Sequence, residues 1–198
     1  RRPGHPPGRV CRRQATAARP RRRLGGAVHV GDRGLRSLAQ VLEQVVRQRL
    51  QARDGTLRGR IVALDILPMD PVPGVDFLEG DFREESVEEQ LAALLQGEPI
   101  DAVLSAMAPN LSGIAAADAA RSLHLAELAA DFACKHLKPE GVFLVKAFQG
   151  SGYSQFVERL KRDFRTVSTR KPAASRETSA EVFLLARGLR APAASPRS

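Results

Sequence analysis

The chain has 198 residues, 43% of them apolar, and a formal net charge of +9. That length suffices for one domain with a substantial core, and the absence of any apolar run near membrane-spanning length excludes a spanning helix within these residues. Cys11 and Cys134 stand far apart in unlike contexts and the four histidines are scattered, which excludes a disulfide framework and gives no metal-ligand spacing; no metal is expected.

The charge is unevenly spread. Residues 1–23 contain nine arginines and no acid, so the rest of the chain holds 22 basic and 22 acidic residues. The body is neutral, and a neutral body does not by itself carry a nucleic-acid footprint. Its charges are nevertheless patterned. Arg159–Arg176 has seven basic residues against the single acid Asp163, whereas Val75–Asp101 is acidic. One end of the molecule would then face phosphate and the other repel it; the plainer reading is a solvated helix face followed by a loop.

Residues 1–24, rich in Arg, Pro, Gly and Ala, read as a disordered tail. Their acid-free, arginine-rich character fits a transit peptide, although the prolines and glycines spoil an amphipathic helix. Ala27–Gly31 reads as a first strand, and Leu38, Val41, Leu42, Val45, Val46 and Leu50 form a helical stripe within Leu35–Gln51. Arg60–Asp65 is a strand closing on an acid, and Val75–Leu78 is a shorter one. Glu84–Leu95 is a helix with Val87, Leu91, Leu94 and Leu95 inward. Ile100–Leu104 is almost wholly apolar, as suits a strand covered on both faces. A long helix over Ala116–Leu137 follows, with Cys134 on its face as a small, reduced apolar residue. Pro139-Glu140-Gly141 reads as a turn into the strand Val142–Phe148. Tyr153–Phe164 is amphipathic through Phe156, Val157 and Leu160. Arg165–Thr169 and Glu181–Ala186 are two last strands, joined by a polar loop without a helix and therefore free to run antiparallel. Residues 191–198 are a frayed tail, leaving one domain over residues 25–190. Strands alternating with helices predict an α/β fold with a mostly parallel sheet and right-handed crossovers.

In such sheets ligands sit past the carboxyl ends of the strands. Those ends carry Ala106-Met107-Ala108-Pro109-Asn110 and Lys146. A lysine in an apolar strand is costly unless paired or used: Lys146 is a candidate general base, or else half of a buried ion pair with Glu181. Asp65 ends its strand where a nucleoside-binding protein puts an acid on ribose hydroxyls, and many strands also end in Asp as a turn. Asp81 is placed to accept from an adenine amino group, or to cap the following helix. Asn110 and Ser112 either bind substrate or build a turn.

The strings GRIVALDILPMDPVPGVDFLEGDFR, MAPNLSG, LVKAFQG, RKPAASR and AEVFLLARG resemble the FtsJ/RrmJ (RlmE) family of 2′-O-ribose methyltransferases of 23S ribosomal RNA. The resemblance covers Gly59–Gly188, roughly two thirds of the chain. It implies a class I, Rossmann-like fold dependent on S-adenosylmethionine, a seven-stranded sheet with a reversed C-terminal strand and helices on both faces. It implies Asp65 and Asp81 on the cofactor's ribose and adenine, with Ala106, Met107 and Pro109 beside them. Lys146 would be the base on the 2′-hydroxyl, a uridine's, and Glu181 its charge partner. Asn110, Arg170, Lys171 and Arg176 would hold RNA. The implied partner is ribosomal RNA in the large subunit, met by a monomer away from any membrane, in the bacterial cytoplasm or alternatively in a mitochondrion.

Two departures stand out. The family has an aspartate in its catalytic set where this chain has Ala106. Its glycine-rich cofactor loop, whose glycines let backbone approach the ligand, is replaced by HVGDRGLRSLAQV, and Leu50–Leu57 reads as an insertion. Residues 1 to about 38 are accordingly expected not to be native family sequence, as a shifted reading frame would produce. The alternative to an active enzyme is a catalytically inactive RNA-binding relative.

Overall fold

The computed structural model describes residues 27–30 by their backbone, and residues 59–107, 109, 112–171 and 180–190. The expected helix over Leu35–Gln51, the Leu50–Leu57 insertion, the altered cofactor loop and both tails lie outside these residues.

Seven strands form one sheet: β1 (Ala27–Val30), β2 (Ile61–Asp65), β3 (Val75–Glu79), β4 (Ile100–Ser105), β5 (Leu137–Phe148), β6 (Phe164–Arg170) and β7 (Glu181–Leu189), in the spatial order β3-β2-β1-β4-β5-β7-β6. β1 pairs in parallel with β2 and β4, β2 with β3, and β4 with β5. β7 is antiparallel to both β5 and β6. The loop-joined final pair is thus a reversed hairpin, as its sequence allowed.

Three described helices connect the strands: α1 (Glu85–Leu95), α2 (Ala115–His136) and α3 (Tyr153–Asp163). Each follows its apolar stripe. Val87, Leu91 and Leu95 of α1 are buried with Leu94 partly so, and Phe156 and Leu160 of α3 are buried with Val157 partly so. All three helices pack into one core on one face of the sheet, against Val62, Leu64, Val103, Phe143, Val145 and Leu184. Phe132 of α2 meets Phe82 edge-on at 5.7 Å, and Phe143 of β5 stacks on Phe164 of β6 at 6.0 Å. Such pairs contribute beyond their buried area. On the opposite face, Ile61 and Ala63 are also buried and pack with Met69, Val75 and Phe77, so β2 is covered on both sides and reads as a continuous apolar run.

Two helix ends depend on local chemistry. Acidic Glu85 and Glu88 occupy the first turn of α1, where the helix dipole favours them. Gly152 precedes α3 at φ 84°, and a Cβ there would stand 2.4 Å from Leu123 Cδ2, so the entry into α3 requires glycine.

One expectation is corrected. Pro139-Glu140-Gly141 does not form a turn ahead of the strand; β5 begins at Leu137. Leu137 is buried and pairs with Ile100, and the next pair is Ala102 with Val142. β4 therefore advances two residues while β5 advances five, and the Pro-Glu-Gly stretch is a bulge inside the strand. The gain is burial of Leu137, which a preceding turn would forfeit.

Candidate active site

The register places the candidate residues on one rim. Leu64 pairs with Val30, Val30 with Ser105, and Ser105 with Val145. One step on, Asp65, Ala106 and Lys146 share a cross-sheet row at the carboxyl ends. Since successive side chains alternate faces, this row lies on the face opposite α1, α2 and α3. Three strand spacings separate Asp65 from Lys146, roughly 14 Å between Cα atoms. Asp65 and Lys146 are both buried.

Glu181 belongs to the same face. Lys146 stands opposite Phe183, and Phe148 opposite Glu181. Lys146 and Glu181 are therefore diagonal neighbours on adjacent strands, within reach of long side chains.

The two acids differ in how they are held. Asp65 Oδ1 accepts the Leu67 N–H at 3.0 Å, and its carbonyl accepts Gly80 N–H at 2.9 Å, tying the ends of β2 and β3 together. Ile66 and Leu67 beside it are 43% and 41% exposed, an apolar shelf next to a carboxylate. Asp81 binds Arg83: its Oδ1 accepts the Arg83 N–H at 2.9 Å, and Arg83 Nη2 reaches Oδ2 at 2.5 Å. The Arg83 side chain holds the Asp81 carboxyl below the usual carboxylate range. Asp81 does not cap α1, whose N-cap is Glu84. Arg83 uses acceptor sites on both oxygens, so any further donor shares them.

The segment after β4 is fixed from α2. Asp118 Oδ1 accepts the Ser112 N–H and the Ser112 hydroxyl, each at 2.8 Å, and Oδ2 accepts the Gly113 N–H at 3.1 Å. These bonds, that from the Ser112 N–H foremost, hold the Asp118 carboxyl below its ordinary range, and Arg121 at 3.8 Å adds to this. Sequence reasoning missed Asp118. Its only signal was an acid in the first turn of a helix, six residues past a Ser-Gly pair. Ser112 accordingly builds a turn. Met107 packs into the helix-side core, and Pro109 is half-buried. Asn110 and Arg176 lie outside the described residues. Arg170 ends β6 on this rim and Lys171 follows, both exposed.

Among the described residues no cluster of three or more His, Cys, Asp or Glu side chains is placed to hold a metal. No described helix is long and apolar enough to cross a membrane.

The sequence profile of FtsJ-like methyltransferases matches residues 42–189. The ribosomal RNA large subunit methyltransferase E of Bordetella parapertussis is 58% identical over 147 residues, covering 74% of this chain and 70% of the relative. Among solved structures, a ribosomal RNA methyltransferase from Plasmodium falciparum has a TM-score of 0.68 at 24% identity, covering 83% of this chain and 86% of that one. Human methyltransferase-like protein 13, crystallised with SAH, has a TM-score of 0.52 at 17% identity, covering 82% of this chain and 71% of that one. The two structures agree with this chain in fold.

Proposed function

The chain belongs to the FtsJ-like methyltransferase family, and from that premise we propose that it transfers a methyl group from S-adenosylmethionine to a ribose 2′-hydroxyl of large-subunit ribosomal RNA. The observation that carries this reading is the shared row of Asp65 and Lys146: an acceptor for a nucleoside and a buried amine on one face of one rim.

The rim fits the cofactor. Asp65 offers its carboxylate to ribose hydroxyls, as strand-end acids do in nucleoside-binding sheets. Ile66 and Leu67 give the apolar surface that a nucleoside packs on. Asp81 accepts the adenine amino group while sharing its oxygens with Arg83, and the backbone around Met107 and Pro109 closes the cleft. When bound, the cofactor supplies an electrophilic methyl group.

The protein's own work is orientation and proton handling. Lys146 Nζ takes the 2′-hydroxyl proton or hydrogen-bonds the oxygen as it attacks, and Glu181 balances the lysine's charge. Arg170, Lys171, Asn110 and Arg176 hold the flanking RNA. Holding both reactants in line supplies most of the rate in a two-substrate transfer. A monomer meeting the RNA within the large subunit, in the cytoplasm, completes the reading; the bacterial relative supports that compartment. Its name also favours an active enzyme over a non-catalytic relative.

Methyl transfer from labelled S-adenosylmethionine to undermethylated large ribosomal subunits tests the proposal. Label is expected on a ribose 2′-oxygen; intact binding of both substrates without transfer would overturn it.

A further inference from the structure

The described part of the basic stretch, residues 159–171, does not form one patch. β6 carries it from one rim of the sheet to the other, about 20 Å. Arg170 and Lys171 reach the carboxyl rim beside Lys146, while Arg162 and Arg165 stay at the opposite rim. There the end of β7 joins them. Arg187 pairs with Thr166, and the Arg190 N–H donates to the Asp163 carbonyl at 2.8 Å. All four arginines are exposed.

We propose that this distal rim of the β6–β7 hairpin, formed by Arg162, Arg165, Arg187 and Arg190, is a second docking surface for ribosomal RNA phosphates. It rests on the reading of ribosomal RNA as substrate and adds a contact remote from the accepting ribose.

Three observations carry it. First, cations away from the β6–β7 hairpin are matched: Lys135 with Glu88, Lys138 with Asp101 and Lys161 with Glu158 at 2.7 Å, and Arg60 with Asp76 at 2.6 Å. Arg162 and Arg187 have no acidic partner among the described residues. Second, the others are pre-set. Arg190 Nε donates to the Phe164 carbonyl at 3.1 Å, and Arg165 bonds Glu140 at 2.6 Å. Gly188, at φ 70°, leaves room for the Arg165 stem, since a Cβ there would stand 3.1 Å from Arg165 Cδ. Guanidinium groups held in place lose less freedom on binding phosphate. Third, charge divides across the sheet. β3 is one edge and β6 the other; the acids Asp76 and Glu79 lie on β3, whereas Arg165 and Arg170 lie on β6. RNA repelled there is drawn along the β6 edge, from Arg170 to the distal arginines.

The test is the full chain with Arg162→Gln and Arg187→Gln together, binding large-subunit ribosomal RNA without cofactor across a salt series. Loss of two phosphate contacts weakens binding about tenfold near 0.1 M salt and reduces the slope of log affinity against log salt by about 1.5. KM for RNA rises to match, and kcat at saturating RNA is unchanged. Wild-type affinity and slope in the double variant would overturn the proposal, as would an equal loss in Lys135→Gln. Because binding is read apart from catalysis, a chain that shows the expected slope but transfers no methyl refutes the proposed function and leaves this surface standing.

Discussion

Ala106 stands beside Lys146, one step past the Ser105–Val145 pair that ends the β4–β5 ladder. A methyl side chain therefore stands next to a buried lysine in the row, at a point where the resembling family carries a carboxylate. An acid there would balance the lysine's charge and fix its direction.

Restoring it should raise turnover. Ala106→Asp is expected to increase single-turnover methyl transfer by ten- to a hundredfold, within the usual range for a positioned proton-handling group. Binding of S-adenosylmethionine, followed by calorimetry, should hold or tighten. Unchanged transfer with binding intact would mean that position 106 faces neither reactant.

Lys146→Met keeps the stem and removes the amine. Transfer should fall by about 10²–10⁴, with cofactor and RNA affinities within about threefold of wild type. A variant retaining more than a tenth of wild-type transfer would remove Lys146 from the chemistry.

Asp118 gives the fold an acid sensitivity. Its carboxyl is held below the ordinary value of 3.8 by bonds from Ser112 and Gly113. A depressed folded value means that the unfolded chain takes up the proton first. The stability from this group is therefore fully present above about pH 4 and is lost as pH falls through the folded value. Melting curves between pH 5 and pH 2.5 should fall more steeply for wild type than for Asp118→Asn. Parallel curves would show that the loop is held by other means.

Cys134 should be a poor nucleophile. Burial pushes its thiol up to about 11, so its thiolate fraction near pH 8 is roughly two orders of magnitude below that of an ordinary cysteine. Peptide-resolved alkylation with iodoacetamide should label Cys134 slowly in native protein and readily in denaturant. Equal rates would contradict the packing described for α2.

Much of this fold is visible along the chain because its signals are local. Ile61–Asp65 is apolar without alternation since both its faces are covered, and α3 shows its stripe through Phe156 and Leu160. The bulge in β5 is not local: Pro139-Glu140-Gly141 has the composition of a turn, and only the pairing of Leu137 with Ile100 keeps it in the sheet. At the site, Asp65 and Lys146 announce themselves as polar residues closing apolar strands. Their shared row does not, since it depends on three registers that no single segment encodes. Asp81 reads along the chain as a ligand or a cap, and its grip by Arg83, two residues on, is an equally local feature. Asp118 was hidden because an acid in a first helical turn already has a sufficient explanation in the helix dipole.

The reversed strand β7 sits between β5 and β6, so the strand bearing Lys146 waits for a neighbour that is synthesised more than thirty residues later. During translation, a nascent chain halted before Glu181 leaves one side of β5 bare, a long apolar ribbon with unspent backbone donors and acceptors. Stalled or truncated products should accordingly clump or be degraded, and the catalytic rim assembles only as the final hairpin emerges.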